Sequence, residues 1–77
     1  MCLAIPAKIL TIDDDRIAET DMLGIRRMTA LDLVPHAQVG DYVLVHAGYG
    51  IEVVSEEAAQ ETLDLIREFP ELVAADS

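Results

Sequence analysis

The chain has 77 residues, 52% of them hydrophobic, and carries fifteen acidic residues against five basic ones for a formal net charge of -10. That length suits one small domain, residues 1–77, and the apolar share is too high for a disordered chain. The charge opposes phosphate backbones, which argues against a nucleic-acid partner, and a single cysteine excludes an internal disulfide and a self-sufficient structural zinc site.

The first residues read Met1-Cys2-Leu3-Ala4-Ile5-Pro6. No basic segment precedes the apolar stretch, and Pro6 and Lys8 interrupt it, so a secretory signal is not expected. No run approaches the ~18 apolar residues of a membrane helix, and the expectation is a cytoplasmic protein with no membrane partner. Over residues 3–12, Leu3, Ile5, Ala7 and Ile9 alternate with positions that include Pro6 and Lys8, the period of a strand. Pro6 lacks an N–H donor and belongs at an edge or bulge.

Asp13, Asp14 and Asp15 mark a turn, because aspartate bonds back to nearby backbone. Residues 16–22 form a second strand with weak alternation, Leu23-Gly24 the next turn, and residues 25–31 a third strand. Residues 33–40, with Pro35 and His36, read as a loop. The clearest strand follows in Asp41-Tyr42-Val43-Leu44-Val45-His46-Ala47-Gly48: Val43 and Val45 share one face, Tyr42, Leu44 and His46 the other. Gly48 and Gly50 flank Tyr49 in a tight connection to a short fifth strand over residues 51–54. Five short strands at this spacing predict a small closed or nearly closed β-barrel over residues 1–54.

The period then changes. Ser55 is an N-cap, Glu56 and Glu57 suit a helix first turn, and Pro70 marks a stop, predicting a helix over residues 55–69. Ala58, Ala59, Thr62, Leu63, Ile66 and Phe69 share one side, with the acidic residues mostly elsewhere. Residues 70–77 read as a tail.

Two residues carry candidate chemistry. Removal of Met1 would leave Cys2 with a thiol and a free α-amine, a potential chelate of two donors that lose protons just above neutral pH. A soft thiolate favours iron, zinc or copper(I) over magnesium or calcium. The plainer alternative is a small buried hydrophobe. His46 sits on the strongest strand, two residues before a glycine; it is either a satisfied half-buried histidine or a ligand. Two ligands are too few to hold a metal permanently, and an incomplete set suits transient loading. His36 reads as a solvated loop residue. A cysteine hydrolase would need a nucleophile loop, an oxyanion hole and a cleft, and no catalytic role is expected.

Together, MCLAIP at the N-terminus, LGIRRMTALDLVP in the middle, VGDYVLVHAGYGIEVV after it and SEEAAQETLDLIREF near the end resemble the HypC/HupF/HybG family of nickel-iron hydrogenase maturation chaperones, in order and over nearly the whole chain. The resemblance implies an OB-like five-stranded barrel followed by a C-terminal helix, in agreement with the strand and helix pattern. It also implies a carrier that binds a HypD-type maturation protein and the hydrogenase large-subunit precursor, and that helps deliver an iron bearing cyanide and carbonyl ligands. The family's N-terminal cysteine falls on Cys2, its strand histidine on His46 and its early proline on Pro6, which assigns Cys2 and His46 to transient iron. Cys2, Leu3, Ile5 and Pro6 are assigned to partner binding. The alternative is a metal-free module that bridges maturation proteins. Where the family commonly has Gly-Phe-Ala after the histidine, this chain has Gly48-Tyr49-Gly50, and it ends soon after its helix.

Overall fold

A computed structural model describes residues 4–69 of the chain. Its elements are β1 (Ile5–Ile12), β2 (Ile17–Met22), β3 (Ile25–Ala30), β4 (Tyr42–His46), β5 (Tyr49–Val54) and α1 (Glu56–Glu68). The strands close in the order β1-β2-β3-β5-β4, with β1 also antiparallel to β4. The expected five-stranded barrel followed by a helix is what the chain forms. Among the described residues no helix is long and apolar enough to cross a membrane.

Three tight turns set the register. Asp13 accepts through Oδ1 from the backbone N–H groups of Asp15 and Ile17, both at 2.9 Å, so the aspartate run turns the chain as its composition predicts. Arg16 has φ 61, which breaks extended geometry and delays β2 to Ile17. Leu23-Gly24 joins β2 to β3 and Ala47-Gly48 joins β4 to β5, each a two-residue turn with both φ values positive. Positive φ at both central positions is the hairpin turn whose twist matches that of the strands, and glycine at the second position lowers its cost. The fifth strand therefore begins at Tyr49, earlier than the sequence pattern suggested, because the turn lies before Tyr49 rather than around it.

Gly50 is already in β5 and has an internal role. A Cβ there would lie 3.3 Å from Leu31 Cδ2 and 3.5 Å from both Val34 Cγ2 and Val43 Cγ2. The two valine distances are ordinary contacts, while the Leu31 side chain would have to give by a few tenths of an ångström, so the position is closely packed. The register between β4 and β5 shifts at the same place, from Leu44 opposite Glu52 to Val45 opposite Gly50, a bulge beside a strand glycine.

The barrel interior is built from Ala7, Ile9, Ala18, Leu31, Val34, Ala37, Val43 and Val45. Leu31, Val34 and Ala37 come from the segment between β3 and β4, which plugs one end of the barrel instead of lying in solvent. Arg16 holds this plug: its Nη2 donates to the carbonyls of Val34, Pro35 and Ala37 at 3.2, 2.9 and 2.9 Å. Between β2 and β3, the buried hydroxyls of Thr20 and Thr29 meet at 3.1 Å, and Thr20 Oγ1 also donates to the Arg27 carbonyl.

Helix α1 starts as predicted, with Ser55 Oγ accepting from the Ala58 N–H at 3.1 Å, and ends at Glu68 with Phe69 as its C-cap. Its buried stripe is narrower than the sequence suggests, comprising Ala59, Leu63 and Ile66, while Ala58 and Phe69 are exposed. The helix packs on β1, and Gln60 reaches β4 by donating to the Tyr42 hydroxyl at 3.0 Å. Pro6 is fully buried, on the face of β1 opposite Ile5, Ala7 and Ile9, and so lies outside the barrel interior.

Pro6 sits in a strand with neighbours on both sides, yet its missing donor leaves no gap. Ile9 exchanges backbone bonds with Asp41 and Gly40 on the β4 side, each at 2.9 Å. By alternation the nitrogen of Pro6 points toward β2, whose pairing with β1 begins only at Lys8.

Candidate functional site at the open rim

The plug closes one end of the barrel, and the opposite end is open. That rim gathers the start of β1, the β2–β3 turn and the β4–β5 turn. Ile5 pairs with Val45, so Ala4 and His46 stand at the same level of the rim. His46 pairs across its turn with Tyr49 and is half-buried. Among the described residues its imidazole has no hydrogen-bond partner. Its side chain is on the outer face of β4, with Tyr42 and Leu44, while Val43 and Val45 point inward. Pro6 is opposite Leu44, which makes Pro6 and His46 diagonal neighbours on the outer face, a separation long side chains span.

Ile5 turns the other way. Only 5% exposed, it lines a pocket of about 180 Å³ in the mouth of the barrel with Met22, Arg27, Met28, Thr29, Val45, Ala47 and Gly48. The rim thus has an inner, apolar side containing Ile5 and an outer side carrying His46 and Pro6. Pro6 offers no exposed surface in the chain by itself, and Ile5 is reached only through the pocket. Cys2 and Leu3, the remaining expected site residues, lie outside the described residues. His36 is exposed in the plug segment, away from the rim.

No group of three or more His, Cys, Asp or Glu side chains that could hold a metal occurs among the described residues. Residues 4–69 by themselves therefore offer no metal cage of three such side chains. Arg27, Met22 and Met28 are rim residues the sequence pattern did not single out. The available signal was the pair Arg26-Arg27, two of five basic residues side by side in an acidic chain.

A sequence profile described as the HupF/HypC family matches residues 1–66. The chain belongs to the HupF/HypC family. It is 46% identical over 66 residues to the hydrogenase maturation factor HypC of Helicobacter hepaticus, covering 84% of this chain and 77% of that one. With the hydrogenase maturation factor HypC of Cupriavidus necator it is 44% identical over 68 residues, covering 88% and 76%. With the hydrogenase maturation factor HybG of Escherichia coli K12 it is 31% identical over 74 residues, covering 88% and 90%. The matches extend from the barrel into the helix, so this HupF/HypC family member shares with its relatives the chain that builds the rim.

Proposed function

We propose that this HupF/HypC family chain is a hydrogenase maturation chaperone, a carrier rather than an enzyme. It binds a HypD-type scaffold and then the large-subunit precursor, and it helps deliver iron carrying cyanide and carbonyl ligands. The observation that carries the reading is the convergence of the N-terminal strand and His46 on one rim, in a chain whose N-terminal motif and relatives are those of hydrogenase maturation factors. Cys2 itself lies outside the described residues, two positions before Ala4 in the sequence.

The division of labour follows from the donors. Iron is cargo here, held mainly by the partner; the thiolate of Cys2 takes or shares one ligand position, because a deprotonated sulfur is the soft donor this chain offers. His46 stands on the outer face, where its imidazole completes the transient site or donates a hydrogen bond to the cysteine or to a ligand of the iron. Pro6, with fixed φ and buried flank, stiffens the strand that carries the cysteine. The setting is the cytoplasm, where thiols stay reduced.

The test is iron analysis and infrared spectroscopy of the chaperone copurified anaerobically with its maturation partner, comparing the wild type with Cys2→Ala. The expected result is cysteine-dependent iron with cyanide and carbonyl bands, and a mass showing loss of Met1. Iron content indifferent to Cys2, with partner binding retained, would overturn the carrier role and leave a bridging module.

A further inference from the structure

The barrel closes by a minimal seam. Strand β3 meets β5 at one pair, Ala30 opposite Tyr49, fixed by the Ala30 N–H donating to the Gly48 carbonyl at 2.9 Å. That bond points away from β2. By the alternation of a strand, the backbone N–H and C=O groups of Met28 and Arg26 point the same way, and no described strand meets them. The result is an open edge directly beside the mouth pocket. Met28 is 63% exposed and Ile25 55%.

Unpaired edges are usually covered, shortened or charged. Here the edge carries Arg26 and Arg27. Arg26 makes an exposed 3.5 Å contact with Glu19, a weak pair. Among the described residues the Arg27 guanidinium has neither an ion pair nor a hydrogen bond, and it lines the pocket beside Ile5, Met22 and Val45. A cation thus sits at the lip of an apolar cavity, next to strand edge groups with no partner among the described residues.

We propose that this edge receives an extended, acidic-apolar segment of a partner protein, which adds as a strand alongside β3. The guest backbone pairs with the outward N–H and C=O groups of Arg26 and Met28. One of its branched aliphatic side chains enters the pocket among Ile5, Met22 and Val45, and a flanking Asp or Glu meets Arg27. Backbone pairing supplies sequence-tolerant affinity, and the pocket and cation supply selectivity, as in strand addition generally. A second copy of this chain fits worse. Antiparallel pairing of two β3 edges would bring two Arg26-Arg27 pairs together, like charge against like. The proposal makes no use of Cys2, so failure of iron loading in Cys2→Ala leaves it unaffected.

The experiment titrates the full-length, nitrogen-15-labelled chain with capped decapeptides that alternate Val, Ile or Leu with Asp or Glu, and with counterparts carrying Lys in the acidic positions. The acidic set binds saturably and the Lys set does not. Amide shifts centre on residues 26–29, Met22 and Gly48, and exchange of the Arg26 and Met28 amides slows. Arg27→Glu weakens binding at least tenfold, whereas Arg67→Glu, the same charge change on α1, alters it less than twofold. Met28→Pro, which deletes an edge donor, abolishes binding in a chain whose circular dichroism is unchanged; if that variant does not fold, Arg27→Glu decides. The proposal is overturned by the absence of saturable binding, by shifts centred on α1, by equal weakening in Arg27→Glu and Arg67→Glu, or by a concentration-dependent dimer that Arg27→Glu dissolves.

Discussion

The two ends of the barrel differ in how completely their polar groups are satisfied. At the plugged end Arg16 donates to three carbonyls, Leu31, Val34 and Ala37 fill the interior, and Gly50 packs closely against the Leu31 side chain. At the open end, among the described residues, there is a cavity, a histidine and an arginine without hydrogen-bond partners, and one strand edge with unpaired backbone groups. Buried polar groups in a finished core are paired. Surface groups without protein partners are hydrogen-bonded to water, and a partner can take them over without breaking any bond within the fold. One end of this small barrel holds the fold, and the other is left incomplete for what it meets.

That contrast can be broken by mutation, most severely at the plugged end. Leu31→Ala removes a fully buried side chain and should cost about 2–5 kcal/mol in denaturant unfolding, the range for such cavities. A cost under about 1 kcal/mol would show that the segment between β3 and β4 is not core. Arg16→Ala should cost about 2 kcal/mol, because it strips a charged donor from three carbonyls; Arg16→Lys should recover part of this, since all three bonds come from one nitrogen, Nη2, and an ammonium carries three donors on a stem of different length and shape. Thr20→Val leaves the Thr29 hydroxyl without its buried partner and should cost about 1–2 kcal/mol, while Thr20→Val with Thr29→Val should be closer to wild type than the single change. A double-mutant cycle without that coupling would contradict the pairing.

At the open end the expected stability effects are smallest. His46→Ala should change stability by less than about 1 kcal/mol, and should lower iron occupancy or transfer far more than it lowers the melting temperature. An unfolded His46→Ala would instead make this histidine part of the structural half of the molecule.

How much of this was legible in the sequence depends on the range of the interactions. The hairpins were readable from Asp13-Asp14-Asp15 and Leu23-Gly24, and the helix start from Ser55, because turns and caps are written in a few adjacent residues. Arg16 was read as the first residue of a strand; its positive φ and its clamp on residues 34–37 depend on contacts about twenty residues away, and no local pattern encodes them. Residues 33–40 read as a loop, and Leu31 as the end of the third strand, for the same reason, since the spacing of Leu31, Val34 and Ala37 becomes meaningful only when a barrel end lies beneath it. Gly50 reads in the sequence as part of a tight connection, whereas it lies within β5, packed against the Leu31 side chain. Of the site residues, the position of His46 followed from the alternation of its strand, while the inward turn of Ile5 and the burial of Pro6 appeared only with β4 and α1 in place. Arg27 was hidden by the weak alternation of β3, most of which is exposed.

The most direct test of the division between the two ends is iron per folded molecule in the partner complex, measured beside the melting temperature for Arg16→Ala and Cys2→Ala. The account predicts that Arg16→Ala melts lower yet loads iron like wild type per folded chain, and that Cys2→Ala melts like wild type and loads none. If both variants lost stability and loading together, fold and function would not be divided between the two ends, and the account would be wrong.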